Sequence, residues 1–157
     1  MFMNVKTITV FAILFFTITQ VKAVNSSVLL EDPKSAALSK KTTAIAAQVK
    51  ILEYDTDKPL IRDVYYRNLD ELVKTIRAND YAVALRGHAD SRGKYKYNWV
   101  LSDKRAISVK DYLVSKGVKE NRIVTTPFGS SMPIATNSTA AGRQKNRRVE
   151  IELKKIN

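Results

Sequence analysis

The chain has 157 residues, carries 27 Lys plus Arg against 15 Asp plus Glu for a net charge of +12, and contains no cysteine and one histidine. That length suits one domain with a full core and not comfortably two, while the cysteine count excludes a disulfide scaffold and the lone histidine excludes a histidine-based metal cluster. So basic a balance favours polyanionic partners: nucleic acid, acidic lipid or an acidic cell-wall polymer.

Residues 1–23 read as a secretory signal. Lys6 gives a positive start, Thr7 to Val21 is an uncharged, mostly apolar run of 15 residues, and Val21-Lys22-Ala23 supplies a small-residue cleavage site. Such a run falls short of the roughly 20 residues that a membrane-spanning helix needs. Cleavage after Ala23 is therefore expected rather than retention as an anchor, leaving no integral membrane segment. The removed part holds two lysines and no acid, so the net charge becomes +10. Export argues against nucleic acid, leaving the envelope as the expected location. No cysteine is present to carry a lipid, and no ten-residue segments with outward apolar alternation precede the domain, so neither a lipoprotein nor a barrel is expected.

Residues 24–45 lack helical or strand periodicity and are expected to form a partly ordered lead-in to a domain at 46–157. Ala46 to Tyr54, with Val49, Ile51 and Leu52, predicts a strand followed by the turn-rich Asp55-Thr56-Asp57-Lys58-Pro59. From Ile61 to about Asp80 the period becomes helical, with Ile61, Val64, Tyr65, Leu69, Leu72, Val73 and Ile76 on one stripe. Tyr81 to Gly87 reads as a short buried strand. A second helix is predicted from about Asn98 to Lys116, stopped by Gly117, with Val100, Ala106 or Ile107, Val109 and Leu113 facing the core. Arg122 to Pro127 predicts a third strand, where the proline marks a strand end or an edge. Phe128 to Gln144 is a long loop with room for a helical turn. Arg148 to Leu153 alternates strictly, sending Val149, Ile151 and Leu153 inward and Glu150 and Glu152 to solvent. This alternation of strands and helices predicts an α/β two-layer sandwich, one sheet covered by two helices.

The chemistry concentrates between Gly87 and Ala106. Asn98, Leu101 with Ser102, and Arg105 fall at i, i+3/i+4 and i+7 and project from one side of the helix, forming a donor-rich rail near its positive end. Asp90, just past a strand end, adds the opposite sign. An aspartate and an arginine so placed suit the two ends of an amino-acid zwitterion, the arginine gripping a carboxylate with two prongs. They would equally suit each other as a salt bridge, and the residues alone leave both readings open.

The segment Gly87-His88-Ala89-Asp90-Ser91-Arg92-Gly93, then Tyr97-Asn98, Leu101-Ser102 and Arg105-Ala106, and finally Asn137 to Ile151 with Asn146-Arg147-Arg148, resembles the OmpA-like C-terminal domain over about Ala46 to Leu153. The resemblance implies a mixed four-stranded sheet of βαβαβ type under two main helices, and non-covalent binding of peptidoglycan through the diaminopimelate of the stem peptide. It implies that Asp90 takes the ammonium and Arg105 the carboxylate of that group, that Asn98 and Leu101 line the pocket, and that Arg147 belongs to the signature. Tyr54-Asp55-Thr56-Asp57 is similar to the family's aromatic-Asp-aromatic-Asp strand end, making Asp57 a further contact. The chain departs from the pattern at Ala89, usually threonine, at Thr56, usually aromatic, and at Pro127 and Ser130 to Met132, usually a glycine-rich acidic loop. The first two departures predict a weakened rather than a lost grip.

Other constellations are poorer. No serine or cysteine nucleophile has a partnered base in view, so no enzyme and no cofactor are expected. His88 reads as a packing residue, and Asp55 with Asp57 as a turn. Arg143, Lys145, Arg147 and Arg148 form a basic cluster that is either solvated or rests on an acidic polymer. A second reading keeps the fold but docks an envelope protein partner through residues 24–43 or the helix after Ile61.

Overall fold

The computed structural model describes residues 50–156; the expected signal and lead-in, and residues 46–49 of the first predicted strand, lie outside the described residues. Four strands make one mixed sheet: β1 (Ile51–Glu53), β2 (Tyr81–Gly87), β3 (Ile123–Pro127) and β4 (Arg148–Lys155), in the order β1-β4-β2-β3. β4 runs antiparallel to both neighbours, pairing Leu52 with Val149 and Leu85 with Ile151, while β2 and β3 are parallel, with Val83 opposite Ile123 and Gly87 opposite Pro127. A parallel pair needs a crossover, and α2 (Tyr95–Ser115) supplies it. Two further helices are α1 (Tyr66–Ala78) and the short α3 (Ala140–Asn146).

The core is the single interface between sheet and helices. Leu52, Val83, Leu85, Val149 and Ile151 meet Leu69, Leu72, Val73 and Ile76 of α1 and Ala106, Val109 and Leu113 of α2, all buried. The mixed α/β sandwich expected from the sequence is the one observed. Gly117 ends the second helix as expected. At φ +88 it donates to Val114 O, and Val118 donates to Leu113 O, satisfying two carbonyls left open by the helix end.

Several boundaries and faces differ from expectation. α1 begins at Tyr66, after a 3-10 turn over Asp63–Tyr65. Three residues per turn break the helical phase, so Val64, placed on the apolar stripe by a 3.6-residue period, is 65% exposed. α2 begins at Tyr95, almost one turn earlier than predicted, and its inward face is Ser102, Ala106, Val109 and Leu113. Val100 and Ile107 lie across the helix from that face and are exposed. The long loop after Phe128 contains α3, whose N-cap Thr139 accepts from Gly142 N. β4 continues to Lys155, and Glu150 is half-buried because Arg148 beside it, itself buried, donates to its carboxylate at 2.6 Å.

His88 is 3% exposed, stacks on Phe128 at 5.2 Å between ring centroids, and leaves both ring nitrogens without a hydrogen-bond partner. Burial, aided by Arg148 and Arg86 and opposed by Glu150, lowers its pKa to about 4. The unfolded chain, with an ordinary histidine near 6.5, therefore binds the proton first. Stability from this group is complete above pH about 6.5 and is lost as pH falls toward about 4. The urea midpoint should fall over that window, and His88→Phe, which keeps the stack, should flatten this part of the profile.

Candidate functional site

β2 delivers the chain through Gly87 to His88, Ala89 and Asp90, a loop turns at Gly93 with φ +93, and α2 returns across it. Asn98 fastens this loop from the helix. Its amide donates to the backbone carbonyls of Asp90 (3.1 Å) and Arg92 (2.9 Å), fixing where the Asp90 carboxylate points. On the far wall, the turn after β1 is set by Asp57, in a left-handed conformation with φ 55. Asp57 Oδ1 accepts from Tyr97 Oη at 3.5 Å across the mouth.

Between these walls lies a cavity of about 230 Å³. Every residue singled out for the site lines it: Asp57, Asp90, Asn98, Leu101, Arg105 and Arg147. Ser102 does not belong to that rail. Its hydroxyl donates to Trp99 O and accepts from Gly129 N, tying α2 to the loop after β3.

The two charged groups do not pair with each other. Asp90 Oδ2 accepts from Arg147 Nη1 at 2.8 Å and from Arg92 Nη2 at 3.1 Å, and Oδ1 accepts from the Arg92 backbone N–H at 2.9 Å. Burial pushes the Asp90 carboxyl upward, but the side-chain donors of Arg92 and Arg147 and that backbone donor outweigh it and hold the group below the usual carboxylate range. Asp90 is an anion at neutral pH. Arg147 is itself pinned, its Nε donating to Tyr54 O at 3.1 Å and its Nη2 to the Gln144 side chain.

Arg105 is 0% exposed, and no described carboxylate lies within salt-bridge distance of it. Its guanidinium is held by carbonyls alone: Nε donates to Lys58 O (3.1 Å), Nη1 to His88 O (2.9 Å) and Nη2 to Asp55 O (3.0 Å). It lies over the Tyr54 ring at 5.3 Å, and the Tyr54 hydroxyl donates to Arg105 O. Burial lowers its pKa to about 10, partly offset by Tyr54, so the charge survives at neutral pH. A guanidinium has five N–H donors. Three are taken, leaving two, one on each terminal nitrogen, on a residue that lines the cavity.

Arg92 and Tyr97 also line the cavity and were not singled out from the sequence. Helical spacing offered a signal for Tyr97, which stands at i to Leu101 at i+4 and Arg105 at i+8. Arg92 offered only its place two residues after Asp90, where a carboxylate often accepts from the chain.

A profile of the OmpA family matches residues 53–147. Outer membrane protein A of Bordetella avium is 46% identical over 101 residues, 64% of this chain and 52% of that protein. A peptidoglycan-associated lipoprotein of Buchnera aphidicola is 42% identical over 89 residues, 56% of this chain and 51% of that protein. The chain thus spans about half the length of these curated relatives. The crystal structure of the peptidoglycan-associated lipoprotein from Burkholderia pseudomallei superposes with a TM-score of 0.67 at 24% identity, covering 69% of this chain and 93% of that one, a likeness of fold.

Proposed function

Because the chain belongs to the OmpA family, we propose that it binds peptidoglycan non-covalently in the bacterial envelope, holding the zwitterionic end of the stem-peptide diaminopimelate between Asp90 and Arg105. One observation carries this reading above the others: Arg105 is a fully buried cation with no described carboxylate within salt-bridge distance. An unpaired buried charge is costly, and a free two-pronged donor set facing a cavity suits a carboxylate that completes it. Asp90, anionic and lining the same cavity, suits the ammonium on the same carbon. Leu101 supplies an apolar wall, and Asn98 positions Asp90 rather than donating to the ligand. The names of the relatives point the same way, since two of them are peptidoglycan-associated.

The family is one of binding domains, and the proposed role is attachment to the wall without bond cleavage. Purified protein should pellet with isolated sacculi, and Asp90→Asn, which keeps the shape but removes the charge, should leave most of it in the supernatant. Equal pelleting of the wild type and this variant would rule the clamp out. Release of soluble fragments from the sacculi would point to an enzyme instead.

A further inference from the structure

We propose that Arg92 is a built-in competitor for the ligand ammonium, latched over Asp90 by Thr56, and that it handicaps any ammonium group by the same factor, so that a ligand needs a second charged contact to bind appreciably. This rests on the clamp reading above.

The two arginines that meet Asp90 differ in freedom. Arg147 is 9% exposed at its side chain and fixed to Tyr54 and Gln144. Arg92 is 53% exposed at its side chain and sits in the loop beside Gly93, so its guanidinium can leave into water. In place, it donates from Nη2 to Asp90 Oδ2 at 3.1 Å, from Nε to Oδ1 at 3.4 Å, and from Nη2 to Thr56 Oγ1 at 3.2 Å. Those contacts cover the outward side of the carboxylate, where an incoming ammonium would have to stand. Binding there exchanges an internal ion pair for an external one.

Such an exchange gains little for a simple amine. A ligand that also places a carboxylate on the two free N–H groups of Arg105 makes a second contact with no internal rival, and that contact drives the displacement. The latch depends on residue 56 being a threonine, because its hydroxyl is the third acceptor that holds the guanidinium across the mouth.

Isothermal titration of the purified protein with meso-diaminopimelate and with n-butylamine tests this in the wild type, Arg92→Ala, Arg92→Lys and Arg92→Ala/Asp90→Asn. Arg92→Ala should bind meso-diaminopimelate about two- to five-fold tighter, the scale of one partly exposed ion pair. Butylamine, which must displace the same side chain, should gain by a similar factor. Arg92→Lys should reverse part of the gain, and the double variant should lose it. Weaker or unchanged binding of meso-diaminopimelate by Arg92→Ala would overturn the competitor and leave the clamp standing. No binding of meso-diaminopimelate by any of the four proteins would overturn both.

Discussion

Arg105→Ala should cut affinity for sacculi by about thirty-fold or more, the consequence of removing one member of a buried, hydrogen-bonded charge contact, worth roughly 2 to 5 kcal/mol. Arg105→Lys should recover little. A lysine ammonium is a single point with three donors, whereas the arginine reaches three carbonyls, of Asp55, Lys58 and His88, and keeps two donors in hand. Those carbonyls belong to the turn after β1 and to the exit of β2, so Arg105 also joins the two walls of the cavity. Thermal unfolding of each variant separates the roles. A modest drop in Tm with a large loss of pelleting supports the clamp, and a variant that still pellets like the wild type would refute it.

The second large effect is expected on stability. Gly87→Ala should destabilise the domain by about 3 kcal/mol or more, toward the upper end for overpacking a tight interior. A Cβ at Gly87 would stand 1.9 Å from the carbonyl oxygen of Ser102 and 2.7 Å from its carbonyl carbon, both backbone atoms of α2. No rotamer change relieves that contact, so the helix must lift from the sheet. Lifting α2 moves Asn98 and Arg105 away from Asp90 and His88, and wall binding should fall together with the urea midpoint. A Gly87→Ala protein with an unchanged midpoint would show that the helix seats less closely than described. Gly142 is placed the same way, with its Cβ position 1.9 Å from Thr136 O.

Much of the fold was legible because most elements follow a single period. β4 alternates cleanly, and the interior of α1 repeats at helical spacing, so strand and helix assignments were recovered together with the sandwich they form. Errors fell where the period changes. Val64 was misplaced because the 3-10 turn before α1 has no signature in the residue pattern, and Val100 because α2 carries apolar residues on two faces. In the site, helical arithmetic brought Asn98, Leu101 and Arg105 together, but Ser102 shares that arithmetic and points to Gly129 instead. The partner of Asp90 was beyond reach of spacing altogether. Arg147 meets it across 57 residues of chain, a contact that exists only because β4 lies beside β2.

That last contact ties the site to the final strand. Asp90 and Arg105 are joined by a loop and a helix, but Arg147, which also holds the Asp90 carboxylate, reaches it only because the final strand lies between β1 and β2. Without its last strand the sheet loses the partner shared by β1 and β2, and Asp90 keeps its Arg92 contacts alone. The surroundings of Asp90 are therefore complete only once the last strand is in place, and so is any ligand grip that depends on them.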